Sequence, residues 1–270
     1  MTRCATVPGP DQSERDVLDA RALAWQRRPV LRDVYHRYFE EMISYLPRRD
    51  DHPAGPFGRV VEIGSGAGNF KSFFSDAIAT DIVANPWVDL AADATRLPFA
   101  DASVDALVMQ DVLHHLPHPL EFFREAQRVL SPGGRVILTE PYISPVSRVV
   151  YGMVHPEPHD MRVKLFGAPG ESDPPAFAAT GAFAANQAVP TVLFYKHQRE
   201  FHARFPALRL AHRLRRSVLV HPLSGGFSGP VLLPKFSLPL AWLVEDLLLP
   251  LAPLLAFRLV VVVEKTGAGI

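Results

Sequence analysis

A doubly wound α/β fold built on a seven-stranded, mostly parallel sheet is what this sequence predicts, on three observations. Short β-branched runs alternate with helical segments from Arg59 onward. A glycine-rich turn, Gly64-Ser65-Gly66-Ala67-Gly68-Asn69, directly follows the first of those runs. Apolar residues make up 48% of the 270 positions, enough to fill a large core. Strand–helix–strand spacing of this kind implies right-handed crossovers, with helices on both faces of the sheet.

The elements follow in order. A helix of weak pattern is expected over 14–27, and Pro29 separates it from a second. From Val30 to Leu46 the apolar residues Leu31, Val34, Tyr35, Tyr38, Phe39, Met42, Ile43 and Leu46 recur at three and four, which predicts an amphipathic helix ended by Pro47. These two helices form an N-terminal cap over residues 1–47, and a polar linker leads to a second unit over 58–270. Strands are expected there at 59–63, 77–83, 88–91, 105–110 and 135–139, with helices over 70–75 and 120–130 and a turn at Ser131-Pro132-Gly133-Gly134. Prolines crowd the part beyond residue 140. An insertion after the fifth strand, about 142–205, begins with a helix over 146–154. It continues through a Pro/Ala/Gly-rich stretch at 156–187 and ends with a helix over 189–205. Strands at 208–215 and 257–264, joined through a helix around 240–249, complete the sheet.

Composition narrows the function. Lys+Arg and Asp+Glu both number 28, so no basic excess is present to neutralise phosphates, and no nucleic-acid partner is expected. A single cysteine, Cys4, excludes an internal disulfide framework and a cysteine-based metal site, and it fits a reducing compartment. The first twelve residues hold no apolar run, so no secretory signal is read there and a cytoplasmic location is expected. The stretch 236–263 is strongly apolar but broken by Glu245, Asp246, Arg258 and three prolines, short of the roughly twenty uninterrupted residues of a spanning helix. A buried amphipathic helix and a closing strand are expected; peripheral contact with a membrane surface is the alternative.

The glycine turn carries the chemistry. Glycines at alternate positions after a strand let the backbone bend sharply and approach a ligand without Cβ obstruction. The N-terminus of the following helix would offer N–H groups beside a carboxylate-bearing ligand. The spacing differs from the dinucleotide fingerprint, whose sixth position would be glycine and is here Asn69. Asp81, closing the second strand, can accept hydrogen bonds from both hydroxyls of a ribose.

Glu62-Ile63-Gly64-Ser65-Gly66-Ala67-Gly68 resembles motif I of the class I S-adenosylmethionine-dependent methyltransferases. Four further segments resemble the same family in the same order: Asp93-Ala94-Thr95-Arg96-Leu97-Pro98-Phe99; Asp101-Ala102-Ser103-Val104-Asp105, where Val104 replaces the usual Phe; Val112-Leu113-His114-His115-Leu116; and Arg128 through Gly134. Together they cover residues 58 to 141 and are similar to the ubiquinone/menaquinone-type, type 11-like group of small-molecule enzymes. The resemblance implies a Rossmann-like sheet with S-adenosyl-L-methionine held at the strand ends. It implies that Glu62 orients the methionine amino group and that Gly64, Ser65, Gly66 and Gly68 line the methionine portion. It gives Asp81 the ribose, Ile82 the adenine face, Asp93 and Ala94 the adenine edge, and Gln110 and Asp111 the side of the transferable methyl.

The implied reaction is an in-line displacement in which the protein supplies proximity and alignment. The acceptor is a small molecule or a lipid-linked compound, bound by the insertion, with Tyr142, His155 and His159 as candidate contacts. A general base is needed only if the acceptor loses a proton, and His115 and His114 are the candidates. The plainer reading, preferred here, packs His115 against the cofactor and points His114 to solvent. His155, Glu157, His159 and Asp160 are broken by two prolines and form no helical ligand pair, so no metal is expected. A non-catalytic S-adenosylmethionine-binding scaffold or regulator is the alternative function, disfavoured by intact glycines, Asp81 and Asp93. A nicotinamide oxidoreductase is disfavoured by the glycine spacing. A DNA amino-methyltransferase is disfavoured because Gln110-Asp111-Val112-Leu113 stands where its N/D-P-P-Y/F tetrapeptide would be.

Overall fold

A computed structural model describes residues 12–154, 157–168, 170–178 and 181–267. Two helices, α1 (Gln12–Arg27) and α2 (Pro29–Ser44), precede β1 (Val60–Ile63), α3 (Asn69–Phe73), β2 (Ile78–Asp81), β3 (Leu90–Ala91) and β4 (Val104–Gln110). Then come α4 (Pro119–Val129), β5 (Leu130–Pro141), α5 (Pro145–Val154), α6 (Val189–Thr191), α7 (Gln198–Arg204) and β6 (Leu208–Arg216). The short α8 (Val220–Ser224), then α9 (Leu238–Leu248) and α10 (Ala252–Leu255) lead into β7 (Arg258–Lys265). The sheet runs β3-β2-β1-β4-β5-β7-β6. β1 to β5 are parallel, and β7 runs antiparallel to both its neighbours, β5 and β6.

Strand alternation divides the core in two, as a sheet covered on both faces requires. Val61, Ile63, Leu107, Met109, Val136, Leu138, Val261 and Val263 pack with Leu120, Phe123 and Ala126 of α4 and with Val192, Phe194 and Phe201 of the insertion. Val60, Ala106, Val108, Ile137 and Val262 face the other way, toward Leu31, Val34, Tyr38, Phe39 and Met42 of α2 and Phe70 of α3. The apolar stripe of α2 is therefore one of the layers covering the sheet. Because β1 and β4 are central and parallel, their carboxyl ends lie side by side, with Ile63 opposite Met109. Ligand crevices of open α/β sheets form at such strand ends.

Two expectations need correction. The single helix read over 189–205 is broken into α6, a π-helical turn (Val192–Lys196) and α7. Arg213 of β6 donates to the Phe194 carbonyl at 2.5 Å and lies 4.2 Å from the Tyr195 ring centroid, drawing that carbonyl out of the α-helical ladder. The C-terminal helix is not a buried one. α9 buries Leu238, Ala241 and Glu245, whereas Leu240, Leu243 and Leu247 on its other side are 64%, 57% and 72% exposed. Glu245 sets this orientation: its Oε2 accepts the Val220 N–H at 2.7 Å and the Leu219 N–H at 3.2 Å, fixing the polar residue inward. The stretch Lys235–Leu255 is long and apolar enough to cross a membrane by length and composition.

A close backbone approach occurs at Gly64, where φ is +68°. A Cβ there would lie 2.4 Å and 2.8 Å from the two methyls of Val112. Both contacts fall on a β-branched side chain with little rotamer freedom. Gly64→Ala is expected to lower stability by roughly 2–4 kcal/mol in urea unfolding. Adding Val112→Ala should return part of that loss by removing the clash, leaving about 1 kcal/mol or more of backbone strain. A single variant within about 0.5 kcal/mol of the parent would contradict this close approach.

Candidate active site

The turn after β1 and the end of β2 are held to one another by a single carboxylate. Asp81 accepts the Gly66 N–H on Oδ2 and the Val83 N–H on Oδ1, both at 2.8 Å. The Ser65 N–H reaches the Thr80 carbonyl at 2.9 Å and strengthens the same seam. Burial pushes the Asp81 carboxyl above its ordinary range, and the two amide donors oppose that rise. Each oxygen has further acceptor capacity for a ligand hydroxyl. Leu18 of α1 lies over the turn, 4.0 Å from where a Gly66 Cβ would stand, so α1 forms a lid on the loop. The helix after the turn, α3, is only five residues long, and Gly68 at its start is left-handed with φ +70°. The helix-terminus contribution expected there is correspondingly small.

Other cofactor-side candidates fall around this seam. Glu62 is buried, and its Oε2 accepts the Ser65 hydroxyl at 2.6 Å. Ile82 is 48% exposed, and Ala94 is buried. Asp93 is exposed and folds back on its own turn, accepting Thr95 N–H at 2.8 Å and Thr95 Oγ1–H at 2.7 Å.

At the end of β4, Gln110 and Asp111 belong to a network that sequence spacing did not show. Asp111 has φ +60° and its Oδ1 pairs with Arg258, which is buried at the start of β7. Its Oδ2 accepts Tyr35 OH at 3.1 Å from α2 and Gln110 Nε2–H at 2.9 Å. Burial opposes ionisation of Asp111, but the Arg258 guanidinium holds its carboxyl far below the usual carboxylate range. The Gln110 Oε1 atom is buried and makes no hydrogen bond among the described residues. A buried amide oxygen of this kind is an acceptor in search of a donor.

The histidine pair also departs from the preferred reading. His114 does not point to solvent; it is 3% exposed. Glu140, at the end of β5, takes the Val112 and Leu113 N–H groups on Oε1 at 2.8 and 2.7 Å, and His114 Nδ1 on Oε2 at 2.6 Å. Burial disfavours the His114 cation, but Glu140 outweighs it and raises the group to about 9. Burial and the neighbouring His114 push His115 down to about 3. The His115 Nδ1 meets the Ala184 carbonyl at 3.0 Å. Glu157 lies 3.6 Å from His114 Nε2, and despite its burial the histidine partner lowers it to about 2. His114, His115 and Glu157 each offer one ligand atom within 4.8 Å of the others.

Two of the acceptor-side candidates are engaged elsewhere. Tyr142 is buried, its OH accepts Arg215 Nε–H at 2.8 Å, and its ring lies 5.2 Å from that of Tyr195. His159 packs toward Gly152 of α5, 3.6 Å from where a Cβ would stand. His155 lies outside the described residues. Glu140, Arg258 and Tyr35 were not singled out in the sequence. Only Glu140, an acid closing a buried strand before a proline, carried a local signal.

Residues 61–138 match a family described as Methyltransferase domain. An uncharacterized methyltransferase of Mycobacterium leprae is 31% identical over 122 residues, covering 38% of this chain and 45% of the relative. Demethylmenaquinone methyltransferase of Renibacterium salmoninarum is 34% identical over 102 residues, covering 32% and 43%. The chain spans less than half the length of these relatives. Over residues 61–138 the chain carries a methyltransferase domain. Solved structures agree on the fold. A chain in the complex of the Haloferax volcanii Trm112 methyltransferase activator with a methyltransferase superposes at TM-score 0.50, 15% identity, over 96% of this chain and 99% of that one. A SAM-dependent methyltransferase from Archaeoglobus fulgidus gives 0.50 at 12% identity, over 87% and 94%.

The residues of this methyltransferase domain fit its cofactor on two structural observations. Asp81 turns both carboxylate oxygens to the glycine loop with acceptor capacity to spare, and the orphaned Gln110 Oε1 suits an ammonium donor. Gly64, Ser65 and Gly66 would hold the methionine part, Asp81 the ribose, and Gln110 with Asp111 the amino and methyl end.

Burial pushes the Glu62 carboxyl up to about 8, although the Ser65 hydrogen bond favours its ionised form. An acid raised on folding keeps its proton in the folded chain while the unfolded chain loses it. Stability therefore falls as pH rises from about 4.5 to about 8 and is level beyond. Glu62→Gln removes that loss. Relative to the parent, the variant is expected to gain roughly 2–5 kcal/mol across this window, read as the difference between two pH series of urea unfolding. Parallel pH profiles for the two proteins would show Glu62 to be ionised in the folded chain.

Proposed function

We propose that the protein transfers a methyl group from S-adenosylmethionine to a small-molecule or lipid-linked acceptor by in-line displacement. The observation that carries this reading is the Asp81 carboxylate, turned into the glycine loop by the Gly66 and Val83 amides. When bound, the sulfonium supplies a methyl group already activated by positive charge. The chain's contribution is alignment and exclusion of water: α1 covers the loop through Leu18, and Tyr35, Asp111 and Arg258 fix the floor at the end of β4. Neither histidine is an ordinary base near neutrality, since His114 keeps its proton and His115 binds one weakly. An acceptor that is already nucleophilic suits such a site.

The lipid-linked class is favoured by the surface. Phe236, just before α9, and Leu240, Leu243 and Leu247 along one side of that helix expose most of their side chains. Lys235, next to Phe236 in the chain, lines a cleft with Arg27 and Arg28 together with Val231, Leu232 and Leu233. Apolar side chains flanked by cations match an anionic membrane surface.

Calorimetry with S-adenosylmethionine, followed by labelled-methyl transfer into metabolite and lipid extracts, tests the activity. Binding with label transfer is expected, and Asp81→Asn should weaken binding by about 10–100-fold. No heat of binding would overturn the reading; binding with no transfer into any extract would favour a scaffold. For the surface, the parent is expected to float with phosphatidylglycerol vesicles while Leu243→Glu/Leu247→Glu stays at the bottom of the gradient. Equal recovery of both in the bottom fraction would remove the membrane contact.

A further inference from the structure

We propose that His114, His115 and Glu157 form a binding site for one divalent first-row transition ion, zinc by ligand type, with a coordination position open to an oxygen ligand. This stands on geometry independent of the methyl-transfer reading.

The ligands come from separate parts of the chain. His114 and His115 occupy the 3-10 turn after β4, and Glu157 opens the insertion after α5. Backbone bonds clamp the two segments together: Asn186 N–H to the His114 carbonyl and Gln187 N–H to the Pro158 carbonyl, both at 2.9 Å. Residues 155–160 taken alone hold no helical ligand pair, which is why no metal is expected from that stretch. The tertiary fold recruits Glu157 from that stretch and the other two from elsewhere.

Each candidate ligand is oriented by a partner behind it, the arrangement that metal-binding histidines almost always show. A carbonyl can only accept, so the 3.0 Å contact with Ala184 puts the His115 proton on Nδ1 and a lone pair on Nε2. Glu140 accepts from His114 Nδ1 at 2.6 Å and likewise directs Nε2 toward Glu157. Gln187 Nε2 donates to Glu157 Oε2 at 3.1 Å. His114 Nε2 and Glu157 Oε2 are 3.6 Å apart, longer than an N–H···O bond. Two ligands at about 2.0–2.1 Å on one tetrahedral ion stand about 3.4 Å from each other, so that gap is close to the one an ion would set. The ion would take the place of a proton on His114 Nε2. Two imidazoles and one carboxylate are the donor set of catalytic rather than closed structural zinc sites, which leaves a fourth position for an exogenous oxygen.

The test uses full-length protein stripped with a chelator and then titrated with Zn²⁺ by competition, and with Co²⁺ for the visible bands of a tetrahedral site. One ion per chain is expected, with the Co²⁺ bands displaced by Zn²⁺. His115→Ala and Glu157→Gln should each weaken Zn²⁺ binding at least 30-fold, Glu140→Gln by about 10–100-fold, and His202→Ala not at all. Melting curves check each fold. Should His115→Ala not fold, the less buried Glu157→Gln carries the test. No stoichiometric uptake by the parent, or parent-like affinity in Glu157→Gln, overturns the site. S-adenosylhomocysteine affinity, measured on the same stripped protein, reports separately on the cofactor reading.

Discussion

One carboxylate fastens the glycine loop to the sheet. Asp81 sits where β2 ends and accepts amides from both Gly66 and Val83, so the turn after β1 and the turn after β2 share an anchor. Charge-assisted bonds of this kind are about twice as strong as neutral ones. The parallel pairing of β1 with β2 and β4 then fixes the rest. Gly64 meets Val112 at the end of β4, the β4 end carries Asp111, and Asp111 reaches both α2 through Tyr35 and β7 through Arg258. Leu18 of α1 closes over the same place. Residues of β4, α2, β7 and α1 thus gather around a seam between two strand ends.

Much of the recognisable sequence serves this scaffold and not the ligand. Arg128 donates to the Leu97 and Phe99 carbonyls and pairs with Asp101 and Glu125, which ties the L-P-F segment to α4. Asp105 accepts from Ser131 and Arg49 on one oxygen and from the Arg59 amide on the other, at the opposite end of β4 from Gln110 and Asp111. These patterned residues close turns. Their value in identifying the family comes from the fold they enforce, while the chemistry stands on fewer positions.

What the sequence made legible follows distance along the chain. The strands, the glycine turn, Glu62 and Asp81 were readable because each is defined by neighbours within a few residues. The Asp111–Arg258 pair joins positions on β4 and β7, and nothing in either local stretch announces it. His114 is buried because Glu140, from the next strand, neutralises it; its own surroundings look like a polar turn. The leucines of α9 predict burial, whereas the buried Glu245 turns them outward. Local pattern reports what an element is, and long-range polar partners decide which way it faces.

The exposed leucines of α9 and the basic cleft near α2 lie on the α2 face of the sheet, and the histidine–glutamate cluster lies at the strand ends under the insertion. All of this presupposes that a nucleoside settles beside Asp81. A crystal structure of the protein with S-adenosylhomocysteine measures that directly. The account predicts ribose hydroxyls within hydrogen-bond distance of Asp81 and the amino group near Gln110 Oε1, with α1 displaced no further than Leu18 requires. A nucleoside bound elsewhere, with Asp81 touching only Gly66 and Val83, would contradict it.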